Sequence, residues 1–317
     1  MDANEIYTVV KERYSAASTD PSQLSEGYGR AVARAFGYSE QELAGIPAES
    51  NLGLSCGNPL AIASLREGET VVDLGSGAGF DVFLAAQKVG PTGRAIGIEM
   101  NKDMLSLAER NKAKSADKAG GRAEFVEGRI TRVPLPDAVA DAVVSNCVVN
   151  LVPDPEKHLV FAEMARLLRP GGRVAISDIL ARRPLPDAIR RSAALMVGCV
   201  AGASLVETYE EHLKGAGFVD ILIQDTHSDL NVYADTLPDG TKRTDQAAAG
   251  SGQGCCAPSL APSCCAQPAG QTAGNGSCAP GPPAPSKDLN LEALTAELGS
   301  IDLNEWVGSY KIYAVKA

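Results

Sequence analysis

The chain has only three histidines, His158, His212 and His227, and nowhere are two cysteines spaced as C-x-x-C. Histidine this sparse and scattered, with no paired cysteine spacing, excludes an ordinary zinc centre as the organising feature, and no metal cofactor is expected. Basic residues are in deficit as well: 29 Lys and Arg against 39 Asp and Glu leave a formal net charge of -10. A phosphate-neutralising surface is therefore not expected, nor a nucleic-acid partner, and small cationic or neutral substrates fit better. No apolar run reaches membrane-spanning length, and the opening "MDANEIYTVVKERY" lacks a basic-then-apolar secretory pattern, so a soluble, cytoplasmic protein without a membrane partner is expected. In that reducing compartment the eight cysteines read as thiols for packing, metals or catalysis, not as a disulfide framework.

What is present suffices for a large core, with 44% hydrophobic residues in 317. From residue 70 onward, short β-rich runs alternate with amphipathic helical ones, the pattern of a mostly parallel sheet covered by helices. The predicted strands are "TVVDLG" (70–75), "RAIGIEM" (94–100), "AEFVEG" (123–128), "DAVVSNC" (141–147), "GRVAISDIL" (172–180) and "DILIQDTH" (220–227). Apolar residues at three- and four-residue spacing predict helices over "DVFLAAQKVG", "NKDMLSLAERNKAK" and "DPEKHLVFAEMARLLRPGG", the last stopped by Pro170 and the glycines after it. Residues 1–55, with "NEIYTVVKERYSAAS" and "GYGRAVARAFGYSEQELAG" as helices, are expected to form a cap outside the sheet.

Residues 56–235 form the expected α/β domain, and composition shifts sharply at its end. Residues 236–286 are rich in Gly, Pro, Ser and Ala and poor in large apolar groups, and are predicted to be disordered. Beyond them, residues 287–317 include "YKIYAVK", which alternates as a strand does, so the Gly/Pro-rich stretch reads as an insertion before a last strand returns to the sheet.

"VVDLGSGAGFD" (71–81) ends a strand and opens a helix, with Gly75, Gly77 and Gly79 able to let backbone approach a ligand and Asp73 just before the turn. Glu99 ends the next strand, 24 residues after Gly75, where a carboxylate can take both hydroxyls of a ribose. The pair favours a nucleoside cofactor over a plain βα turn. A dinucleotide and S-adenosylmethionine both remain open, although the third glycine comes two residues after the second, which suits the methyl donor better than GxGxxG.

In these motifs the chain resembles the class I S-adenosylmethionine-dependent methyltransferases, over about residues 70–235 and the last strand. The resemblance implies a doubly wound, Rossmann-like α/β sheet of seven strands, mostly parallel, with "YKIYAVK" as an antiparallel seventh strand. It also implies that Asp73 with the loop residues Gly75, Ser76, Gly77 and Gly79 holds the amino-acid part of the donor, and that Glu99 holds the ribose. Met100 and Asn101 would lie beside the adenine, Arg129 and Ile130 of "GRITRVPLP" at its edge, and Asn146 near the sulfonium.

Three cysteines stand in loop- or glycine-rich contexts: Cys56 in "LSCGNPLA", Cys147 in "SNCVVNLVPD" and Cys199 in "GCVAGA". Cys147 follows the fourth strand, at the carboxyl edge where parallel sheets bind ligands. Each alone could be an inert, buried packing residue. Soft thiolates, however, select thiophilic centres, and trivalent arsenic binds three sulfurs while keeping a lone pair able to attack a sulfonium methyl. With the glycine loop, these contexts resemble the arsenite methyltransferases across nearly the whole chain outside the insertion.

That resemblance implies that Cys147 and Cys199 bind As(III), and that Cys56 either joins them or forms a disulfide with Cys147 during turnover. The substrate would be arsenite or its thiol adducts, and an external reductant of glutathione or thioredoxin type would reset the disulfide. No cysteine precedes Cys56, so a scheme needing a further N-terminal thiol is not expected here. Cys255, Cys256, Cys264, Cys265 and Cys278 read either as a solvated linker or as a mobile collector of As(III). Two alternatives stand beside this reading: C-methylation of a sterol or quinone, and a non-catalytic thiol buffer for metalloids.

Overall fold

A computed structural model describes residues 2–19, 26–115, 122–190, 199–230 and 302–317. The proposed insertion, with its five cysteines, lies outside the described residues.

Seven strands form one sheet in the order β3-β2-β1-β4-β5-β7-β6. They are β1 (Thr70–Leu74), β2 (Arg94–Glu99), β3 (Ala123–Glu127), β4 (Ala140–Asn146), β5 (Leu168–Ala181), β6 (Phe218–Asp225) and β7 (Val307–Lys316). Pairing is parallel from β3 through β5. The last strand, β7, is the strand that the alternation in "YKIYAVK" predicts, and it inserts antiparallel between β5 and β6, as the family resemblance implies. The chain leaves β1 for β2 and β3 and then crosses back to β4. The reversal opens a crevice at the carboxyl ends of β1 and β4, where ligands of such sheets bind.

The helices are α1 (Ala3–Thr19), α2 (Glu26–Ala35), α3 (Glu40–Ala44), α4 (Leu60–Ala63), α5 (Phe80–Val89), α6 (Lys102–Lys114), α7 (Lys157–Leu167), α8 (Asp187–Arg190) and α9 (Val206–Gly215). Among the described residues, no helix is long and apolar enough to cross a membrane. Each strand feeds two cores because its side chains alternate: Val72, Leu74, Ile96 and Ile98 meet Phe161 and Met164 on one face, while Val71, Ala95 and Ala142 meet Phe83 and Leu84 on the other. Burying one such large side chain contributes about 1.5–3 kcal/mol, so both layers are needed to hold the crevice rigid.

Of the boundaries that differ from the sequence expectation, two have a clear physical reason. The helix expected over residues 27–45 is broken: Gly37 turns with φ 91°, and Ser39 and Glu42 form a reciprocal capping box that starts α3. Strand β5 begins at Leu168, four residues before the expected start at Gly172, because Leu168 pairs with Ala140 ahead of a register shift that absorbs Pro170 and Gly171.

Candidate active site

The glycine loop leaves β1 with its backbone tied to β2: the amides of Gly75 and Ser76 donate to the carbonyl of Ile98 at 2.8 and 3.0 Å. Its three glycines do different work. A Cβ on Gly75 (φ 79°) would lie 2.4 Å from a Val148 methyl, so this glycine lets the loop after β4 approach. A Cβ on Gly79 (φ 93°) would strike Phe83 and Phe125, so this one seats α5 on the sheet. Gly77 (φ 52°) has nothing within 4 Å of its would-be Cβ, and its bare edge lines the crevice. Ser76 is buried beside it, and its Oγ has no hydrogen-bond partner among the described residues.

Two adjoining cavities fill the crevice and share Tyr14, Gly75, Gly77 and Val148. One is walled by Glu99, Met100, Asn101, Arg129 and Ile130, the other by Asp73, Ser76, Asp81 and Asn146. The expected donor residues thus line these walls, except Gly79, which packs behind them. Glu99 Oε2 accepts from the Gly77 amide at 2.9 Å and Oε1 from the Asn101 amide at 2.8 Å, which fixes the carboxylate against the wall. Asn101 in turn caps α6.

The electrostatics favour a cationic guest. Burial, and then the nearby Asp81 and Glu99, push the Asp73 carboxyl well above the usual range, and no side chain among the described residues donates to it. Burial also raises Glu99, against the backbone bonds it accepts. Asp81 is pushed up to about 6 by burial, opposed by hydrogen bonds from Tyr38 and Asn146. Crowded carboxylates without a cationic partner among the described residues, beside an open glycine edge, suit a ligand carrying positive charge, as the ammonium and sulfonium of S-adenosylmethionine do.

Asn146 joins this wall to the cysteines. Its Nδ2 donates to Asp81 Oδ2 at 2.8 Å, the Tyr38 hydroxyl at 3.0 Å and the Gly57 carbonyl at 3.0 Å, while its Oδ1 accepts from the Cys56 amide at 3.3 Å. Cys56 and Cys147 are joined by a disulfide, with Cα atoms 5.8 Å apart. Cys199 is free and buried, and its Sγ donates to the Cys147 carbonyl at 2.7 Å. Cys147 (φ 61°) and Cys199 (φ 63°) both hold left-handed backbone, strained for a non-glycine residue by about 1–3 kcal/mol each. Burial, then the Asp178 carboxylate, push the Cys199 thiol well up, opposed by Lys157.

An oxygen of Asp178, a fully buried carboxylate, lies within 4.8 Å of both disulfide sulfurs. Asp178 is pushed up to about 7 by burial, opposed by the Ile179 amide, the Lys157 charge and the Tyr209 hydroxyl. A carboxyl raised in the folded state stabilises most while it is protonated, and that contribution is lost as pH rises toward 7. Denaturant melts of the parent and Asp178→Asn should therefore show the variant gaining on the parent between pH 5 and pH 8 by about 1–3 kcal/mol. A difference independent of pH would contradict the assignment.

Sequence reasoning missed the part played by α1. Tyr7, Val10, Lys11 and Tyr14 all line the first cavity. Their i, i+3, i+4, i+7 spacing was visible in "YTVVKERY" as one helical face, but nothing local says what that face covers. The helix is pinned by Asn101 Nδ2 to the Lys11 carbonyl (2.9 Å) and by the Tyr7 hydroxyl to Glu156 (2.6 Å). The Arg129 guanidinium sits 4.5 Å over the Tyr7 ring. Tyr38 and Asp81, which orient Asn146, were missed for the same reason.

The family profile described as "Methyltransferase domain" matches residues 65–227. The chain is 42% identical over 232 residues, 68% of its length and 58% of the relative's, to an arsenite methyltransferase of Halobacterium salinarum. It is 37% identical over 169 residues, 52% of its length and 48% of the relative's, to one of Aquipseudomonas alcaligenes. The chain thus spans about half the length of the curated relatives it matches. In fold it resembles the crystal structure of an arsenic(III) S-adenosylmethionine methyltransferase from Chlamydomonas reinhardtii, with a TM-score of 0.51 at 24% identity, covering 90% of this chain and 73% of that one.

Proposed function

This chain belongs to the methyltransferase-domain family, and from that premise we propose that it transfers methyl groups from S-adenosylmethionine to trivalent arsenic held on its own cysteines. The incoming substrate is arsenite or a thiol adduct of it. The observation that carries this reading is convergence. Cys56 and Cys199 lie 91 and 52 residues from Cys147, yet all three come together, and Asn146, which lines the cavity walled by Asp73, accepts from the Cys56 amide. The arsenite methyltransferase names of its relatives point the same way.

S-adenosylmethionine supplies an electrophilic methyl carbon on a sulfonium. Asp73 and the bare Gly77 edge receive its amino-acid end, Glu99 takes the ribose hydroxyls, and Met100, Arg129 and Ile130 border the adenine. Asn146, tied at once to Asp81 and to the Cys56 amide, keeps the donor wall and the thiols in fixed register. The cysteines hold arsenic with its lone pair facing that wall, and fixing the two reactants together supplies most of the acceleration.

Methyl transfer leaves arsenic formally pentavalent. Cys56 and Cys147, bound as thiolates, return it to the trivalent state as their two As–S bonds break and their sulfurs join in a disulfide, leaving an electron pair on arsenic; an external thiol takes the vacated position and releases its proton. An external thiol of glutathione or thioredoxin type then reduces the disulfide.

The test is release of S-adenosylhomocysteine by the full chain with a dithiol present, in three arms: arsenite, a naphthoquinol, and no acceptor. Arsenite-dependent release with methylated arsenic as product is expected. Release with the quinol alone would move the function to carbon methylation, and binding of arsenite without release would make the protein a thiol buffer.

A further inference from the structure

The loop of residues 199–204 presents Cys199 with a left-handed backbone and 3% exposure. Two fully buried polar side chains from outside the loop hold it there. Asn150, in the turn after β4, donates through Nδ2 to the Cys199 carbonyl at 3.2 Å and to Asp178 Oδ1 at 2.9 Å. Lys157, the first residue of α7, is 1% exposed. Its ammonium donates to Asp154 Oδ1 at 2.7 Å, to Ser204 Oγ at 3.0 Å and to the Gly202 carbonyl.

Burying an ammonium is costly unless each proton finds an acceptor, and here all three do. An apolar side chain of similar volume could serve stability as well, so stability does not account for a charge at this place. What the charge adds is direction: two of its three acceptors lie on the cysteine loop, three and five residues beyond Cys199. The same loop is tied to the end of β5 by the Ala181 amide, which donates to the Ser204 carbonyl at 2.9 Å.

We propose that Lys157 is a positioning residue for substrate capture: through Gly202 and Ser204 it holds the loop so that the Cys199 sulfur faces the arsenic bound at Cys147. The assignment rests on the arsenite reading for its kinetic consequence and on loop geometry alone for its structural one, so the two can fail separately.

The experiment uses the full chain as parent, Lys157→Met, Lys157→Gln and Ser204→Ala. It measures Cys199 alkylation by iodoacetamide, resolved by peptide mass spectrometry with the Cys56–Cys147 bond intact, together with arsenite KM and kcat and donor affinity by calorimetry. Lys157→Met should alkylate about tenfold faster and raise KM about tenfold, with kcat within about twofold and donor affinity unchanged. Lys157→Gln, which keeps a donor for the Gly202 carbonyl, should fall between it and the parent. A Lys157→Met protein that binds donor normally, alkylates at the parental rate and keeps the parental KM would overturn the proposal.

If Lys157→Met fails to bind donor, Ser204→Ala decides. About threefold faster alkylation upholds the proposal, and a parental rate overturns it. If the parent turns over no arsenite, the functional reading falls, while the alkylation rates still judge Lys157.

Discussion

Cys147→Ser and Cys199→Ser are each expected to reduce arsenic methylation by about a thousandfold or more while changing donor affinity by no more than about threefold. The asymmetry follows from where the groups lie. Neither sulfur borders the donor cavities, whereas the two cysteines lie against each other, with the Cys199 sulfur 2.7 Å from the Cys147 carbonyl. Serine keeps the size but loses the thiophilic ligand.

Cys56→Ser should behave differently. It retains a ligand pair at Cys147 and Cys199, so one methyl group should transfer in a single turnover, and sustained turnover should then stall for want of the second sulfur that supplies electrons. Calorimetry with the donor, and rapid-quench product analysis, separate the three variants. Equal steady-state rates in all of them would remove the cysteines from the reaction.

The second large effect is expected at the glycine loop. In Gly75→Ala the new methyl would collide with Val148 at 2.4 Å on a backbone with φ 79°. Donor affinity should fall by about a hundredfold, because the loop can relax only by moving the cavity wall it forms with the segment after β4. Gly171→Ala is the control: it has φ 75° but nothing within 4 Å, so it carries only the left-handed penalty. A Gly75→Ala protein with parental donor affinity, or matching losses in both variants, would show that close approach to Val148 is not what this glycine provides.

How far these features were legible in the sequence depends on how local their signals are. The antiparallel direction of the last strand comes only from the family resemblance. The strands of the sheet and the return of the last one follow from alternation, and the nucleoside-cofactor reading from the glycine loop, because both are written within a few consecutive residues. The three cysteine contexts stood out for the same reason. The tyrosine face of α1 was visible as a face, but its target was not, since Tyr7 reaches Glu156 and Lys11 reaches Asn101 only after the chain has folded. Asn150 and Lys157 read locally as ordinary turn and helix residues. Their roles arise from a loop about fifty residues away, and no periodicity encodes that.

Boundaries were lost where two local signals compete. Gly37 and the Ser39–Glu42 box end a helix that the apolar spacing alone would continue. At the start of β5, strand pairing with Ala140 overrides the Pro-Gly-Gly stop.

The most direct test of the central claim, that the chain's own thiols hold the arsenic nucleophile, is X-ray absorption at the arsenic edge. The sample is reduced full-length protein with Cys255, Cys256, Cys264, Cys265 and Cys278 replaced by serine, loaded with equimolar arsenite. The account predicts a shell of sulfur from Cys56, Cys147 and Cys199 with no oxygen, and partial replacement of sulfur by oxygen in Cys199→Ser. An oxygen shell in the parent, or identical spectra for the two proteins, would contradict it.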